Sequence, residues 1–106
     1  MKELKGTEKQ VKYANDIKLN LIKNMENGIQ QLEIFQARTF EIKGKRLKKR
    51  DRMINEMIEE INVINNIESA KEIIENYKDM FNISENIFLN YSISEIKNAG
   101  SSAYTL

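Results

Sequence analysis

The 106-residue chain has no cysteine, histidine, tryptophan or proline, and only four glycines. Each absence excludes something. Without cysteine there is no disulfide framework and no thiolate nucleophile. Without histidine as well, neither a Ser–His nor a Cys–His pair can be assembled, and a zinc site loses its usual ligands. An enzyme built from this chain would have to work with carboxylates, lysines or tyrosines. The reading is therefore not an enzyme, with no cofactor and no metal. Missing proline and scarce glycine leave long stretches with nothing to interrupt a helix. No apolar run approaches the ~20 residues of a membrane span, and the opening MKELKGTEKQ lacks the apolar segment of a secretion signal. A cytoplasmic protein with no membrane partner is expected.

A hydrophobic fraction of 41% is enough for a small core, and 31% charged residues suit a helical surface. At this length the chain is a single helical domain over residues 1–106. The net charge of +1 conceals a division: residues 1–52 carry 14 basic and 7 acidic side chains, residues 53–106 carry 3 and 9. Such a dipolar chain suits charge complementarity within the fold, or between copies in a homo-oligomer.

Thr7 and Gln10 have capping-box spacing, and Val11, Ala14, Ile17, Leu21 and Met25 follow at helical steps. That periodicity predicts a helix to about residue 36, with Gly28 as a place to kink. In ARTFEIKG, residues 37–44, Thr39, Phe40 and Ile42 favour a strand. A second helix starts from Lys45, with Leu47, Ile54, Ile58, Ile61 and Ile64 as its stripe and Met53 and Met57 widening it. Ser69 and Glu72 open a third helix carrying Ile73, Ile74, Tyr77 and Phe81. The segment NIFLNYSI, residues 86–93, reads as strand or short helix, and Ser92 with Glu95 caps a last helix stopped near Gly100. SSAYTL reads as a frayed tail. Met53, Met57 and Met80 read as core filling, and Tyr13 and Tyr77 as half-buried. The expected fold is mainly α, a compact helical domain of 3–5 helices, with a minor β-hairpin left open.

Two constellations carry candidate chemistry. The run KGKRLKKRDR places Lys43, Lys45, Arg46, Lys48, Lys49, Arg50 and Arg52 close together, a set able to neutralise phosphates. At a helix start these residues spread around the circumference and oppose the macrodipole, so they need solvent or carboxylates. The acidic second half can supply the carboxylates, and a solvated or internally paired face is the favoured reading. No aromatic interleaves the run, which weakens a single-strand stacking model. Glu56 with Glu59, and Glu72 with Glu75, are pairs on helix faces that two packed helices could turn on Mg²⁺. They loosely resemble the ExxE…ExxD/E pattern of all-helical nucleoside-triphosphate pyrophosphohydrolases. An ordinary charged surface is favoured over such a site.

The stretch Leu4, Gly6, Thr7, Glu8, Lys9, Gln10, Val11, Tyr13, Ala14, Ile17 and Lys18 resembles the L-x-G-[ST]-E-K-Q-[VI]-x-W-A-x-x-I-R motif of small phage and mobile-element proteins. Ser69-Ala70-Lys71-Glu72-Ile73-Ile74-Glu75-Asn76-Tyr77 partly follows a second element of that group, S-A-x-W-W-I-[DE]-N-R. Tryptophan is replaced throughout, and Lys18 and Tyr77 stand where arginine is usual. The resemblance implies a genomic setting more than a mechanism: an anti-CRISPR-like inhibitor that binds a host protein or ribonucleoprotein complex. The alternatives are a nucleic-acid-binding accessory protein using the basic run, and the Mg²⁺-dependent hydrolase.

Overall fold

Thr7 starts the first helix. In the computed structural model, which describes residues 2–80 and 83–99, its hydroxyl oxygen accepts the Gln10 N–H at 3.2 Å, and Gln10 Oε1 accepts the Thr7 N–H at 3.0 Å. This reciprocal pair satisfies two amides that a helix start leaves open. Replacing Thr7 by alanine is expected to cost about 1 kcal/mol, read as a lower urea midpoint at unchanged slope. An unchanged midpoint would show the cap to be idle.

The described residues form five helices: α1 Glu8–Lys43, α2 Lys48–Asn66, α3 Ala70–Tyr77, α4 Ile87–Asn90 and α5 Ile93–Ala99, with a 3-10 turn at Lys78–Met80. The mainly α reading holds, and the described residues contain no strand. Three boundaries differ from expectation. α1 neither ends near residue 36 nor gives way to a strand over 37–44; a hydrogen-bonded ladder already running outweighs three β-prone side chains. It stops at Gly44, whose φ of 70° is left-handed and whose N–H closes on the Phe40 carbonyl at 2.8 Å. α2 begins three residues later than Lys45. Residues 86–93 resolve as α4 followed by the start of α5, where Ser92 and Glu95 exchange both 3.2 Å bonds of a second capping box. Phe81, Gly100 and the SSAYTL tail lie outside the described residues.

Helix α2 turns back along α1, and α3 runs in the same direction as α1 on another side. Asn24 Nδ2 donates to the Ile83 carbonyl at 3.4 Å, and Asn27 Nδ2 to Glu85 at 3.4 Å, tying the 83–85 segment to α1. The result is a slab of 52 × 29 × 17 Å. Gly28 is a packing position within a continuous α1: a Cβ there would lie 3.2 Å from Phe88 Cβ and 3.4 Å from Met57 Sδ. Its lack of a side chain lets α2 and α4 close on α1.

The core takes Ala14, Ile17, Leu21, Met25 and Leu32 from α1, and Met53, Met57 and Ile64 from α2. Ile73, Phe88 and Ile96 complete it from the later helices. All three methionines expected inside are buried. Ile58 leaves its expected stripe and is 45% exposed. The two tyrosines diverge from half-burial in opposite senses: Tyr13 is 43% exposed, whereas Tyr77 is buried and donates to Glu60 Oε1 at 2.6 Å. Burial, then the Glu60 bond, pushes the Tyr77 phenol well above its ordinary value.

Residues 4–18 and 69–77 meet. The Lys5 N–H donates to the Glu68 carbonyl at 2.7 Å, and the Ala70 N–H to the Lys5 carbonyl at 2.9 Å. A Cβ on Gly6 would lie 3.1 Å from Ala70 Cβ. Small residues on both sides let the chain entry lie against the start of α3. Both stretches therefore have a folding role, whatever else they do.

Candidate functional site: the basic end of the α1–α2 hairpin

Gln36 organises this end of the molecule. Its side chain is fully buried, and its amide clasps the backbone of Leu47, accepting the Leu47 N–H at 3.0 Å and donating to the Leu47 carbonyl at 2.7 Å. No side chain caps α2 at Leu47. The clasp on Gln36 fixes where α2 starts and folds the 44–47 turn back against α1.

Around this turn the seven basic residues divide into two groups. Arg46 donates to both Asp51 oxygens, at 2.6 Å from Nη2 and 3.2 Å from Nε at the closest to each, and to Glu33 at 3.1 Å. Asp51, then Glu33, holds the Arg46 guanidinium firmly protonated. In return Arg46, then Gln36, holds the Asp51 carboxyl below its usual range. Arg50 donates to Thr39 Oγ1 at 2.9 Å and lies 5.5 Å from the centroid of the Phe35 ring. Lys49 approaches Glu95 at 4.0 Å. Arg46 and Arg50 brace the turn, and Lys49 faces α5.

Lys43, Lys45, Lys48 and Arg52 are exposed and make no ion pair among the described residues. The acidic second half supplies little to this end. Arg46 finds its carboxylates on α1 and α2 within residues 33–51, and Glu95 on α5 faces Lys49 and, more distantly, Arg52. Of the expected solvated or internally paired face, Arg46, Arg50 and Lys49 make up the paired part, and Lys43, Lys45, Lys48 and Arg52 the solvated part. Glu56, one turn from Arg52 on α2, accepts from the Ser94 hydroxyl instead, and the carboxylates of residues 59–75 lie further along α2 or beyond it.

Sequence reasoning missed Phe40. It is 56% exposed in the last turn of α1, one helical step before Lys43, with Ile42 beside it at 82%. With 37–44 open between strand and helix, the sequence hides the i, i+3 relation between ring and ammonium. The aromatic that the basic run lacks comes from the preceding helix.

The four paired glutamates do not converge. Glu56 accepts from the Ser94 hydroxyl, and Glu75 lies 3.8 Å from Lys71 Nζ. The Glu72 N–H is engaged in capping α3, by Ser69 Oγ at 3.2 Å. Among the described residues no group of three or more acidic side chains is arranged to hold a metal ion. Beside Glu56, Glu60 Oε1 receives both the Tyr77 hydroxyl and Lys97 Nζ, each at 2.6 Å. That network locks α5 onto α2 and α3. No described helix is long and apolar enough to cross a membrane.

No family model, no curated protein and no solved structure matches the chain.

Proposed function

We propose that this chain is a non-catalytic, cytoplasmic interaction protein of phage or mobile-element origin. On this reading it binds and inhibits a host defence complex by entering an anionic groove with the basic end of the α1–α2 hairpin. The observation that carries it is the division of labour at that end. Arg46 and Arg50 are spent on holding the turn, while Lys43, Lys45, Lys48 and Arg52 are exposed around it. Cations fixed in place but left unpaired suit a negatively charged partner. The 4–18 motif resemblance supports the genomic setting. The absence of histidine and cysteine from the sequence supports binding rather than catalysis.

The test is inhibition of a defence nuclease from a candidate host, together with co-purification of the complex. Changing Lys43, Lys45 and Lys48 to glutamate is expected to weaken inhibition by at least about tenfold, since each close charge pair lost across an interface costs about 1.5 kcal/mol or more. The melting temperature should stay near that of the parent, because none of the three makes an internal ion pair. Full inhibition by the triple variant would overturn the assignment of the surface.

A further inference from the structure

Phe40, Ile42 and Lys43 occupy the last turn of α1, and Gly44 ends it with its N–H on the Phe40 carbonyl at 2.8 Å. Nothing lies within 4 Å of where a Gly44 Cβ would be, so the apex is open. One turn before Phe40 on the same helix, Gln36 holds the backbone of Leu47, and Lys48 follows it as the first residue of α2. An exposed aromatic ring is thus carried on a rigid helix end one step before Lys43, with Lys45 in the turn that follows and Lys48 opening α2. A buried phenylalanine is worth up to about 3 kcal/mol, so leaving one 56% exposed at this apex forgoes stability that a partner can recover.

We infer that the basic end binds exposed single-stranded nucleic acid, with a base stacked on the Phe40 ring and the flanking phosphates on Lys43, Lys45 and Lys48. This rests on the proposed use of the basic end and names the chemistry that it meets. The ring decides between single and double strands. Lysines alone serve a duplex backbone equally well, but in a duplex the base faces are closed by their neighbours and cannot reach a side chain. In a single strand every base has a free face, and stacking on an aromatic is independent of sequence. A guide or substrate strand displayed by a nuclease complex is the form in which such a strand would be met.

The full chain is titrated against a fluorescently labelled oligouridine of about 12 nucleotides, within the ~4–16 nucleotides that single-strand binders cover. A duplex of the same length and vesicles containing anionic phospholipid are titrated in parallel. The expected result is binding to the single strand that is tighter than to the duplex and weakens steeply as salt rises. Phe40→Ala should lose about tenfold, the scale of one stacked base, with an unchanged circular dichroism spectrum. Phe40→Trp should restore the affinity. Because the chain has no other tryptophan, quenching of its indole fluorescence by the oligonucleotide would report the stacking itself. Equal affinity of Phe40→Ala, preference for the duplex, binding to vesicles alone, or an unquenched indole would each overturn the inference. Nuclease inhibition that survives Phe40→Ala without oligonucleotide binding would remove this inference and leave the inhibitor reading standing. Oligonucleotide binding with no inhibition would do the reverse.

Discussion

Gln36→Leu is expected to destabilise the protein by about 1–3 kcal/mol, although it places an apolar side chain of similar size at a fully buried position. The leucine gains nothing that offsets the two bonds it removes. The Leu47 N–H loses its partner, while the Leu47 carbonyl keeps the Asp51 N–H at 3.3 Å, and a partly buried backbone donor left open costs about 1–3 kcal/mol. Leu47 is also the start of α2, which no side chain caps, so the glutamine substitutes for a cap from across the hairpin. For a domain of this size the melting temperature should fall by about 5–20 °C. Gln36→Glu separates the hydrogen bonds from mere polarity. An ionised carboxylate still accepts the Leu47 N–H but turns an oxygen on the Leu47 carbonyl and stands near Asp51, so it should do no better than leucine. Hydrogen exchange at Leu47 should rise in both variants. A melting temperature within about 3 °C of the parent, equivalent to under 1 kcal/mol, would mean that the clasp contributes nothing.

The clasp also shows where sequence reading stops. The helix starts at Thr7, Ser69 and Ser92 were legible, because a cap is written in residues three apart. The faces of α1 and α3 were legible for the same reason: Ala14, Ile17, Leu21 and Met25 repeat at the helical step. Where α1 ends was not legible. Nothing local distinguishes ARTFEIK as helix from strand until the ladder arrives from upstream, and the stop depends on Gly44 alone. The division of the basic run was also out of reach. It depends on Glu33 and Thr39 lying opposite the turn, and hence on Gln36 meeting Leu47 eleven positions away. Phe40 followed the same error, since a ring on a strand would not share a face with Lys43. The candidate surface was found by composition; which of its cations are free, and what stands among them, required the hairpin to be closed.

Lys18→Met is expected to stabilise the protein by about 1–2 kcal/mol at neutral pH, the cost of a buried polar group without a partner. Lys18 lies on the same stripe of α1 as Gln36, five turns earlier, and is only 1% exposed. Gln36 meets Leu47; Lys18 Nζ meets no hydrogen-bond partner among the described residues. Burial lowers its pKa from the ordinary 10.5, because the ammonium form is the one that loses water. The sign of the pH dependence follows. Between the lowered value and about 10.5 the unfolded chain holds a proton that the folded chain does not, so stability rises with pH through that window. Below the lowered value the penalty is constant. Above about pH 10 Tyr77 acts in the opposite direction: its folded phenol keeps the proton that the unfolded chain gives up, and stability falls. Urea denaturation of the parent from pH 6 to 11 should therefore pass through a maximum near pH 10. Methionine keeps the stem and removes the charge, so Lys18→Met should flatten the rising limb and leave the falling limb intact. A Lys18→Met protein less stable than the parent at pH 7, or one with the same rising limb, would show that the ammonium finds a partner in the folded state.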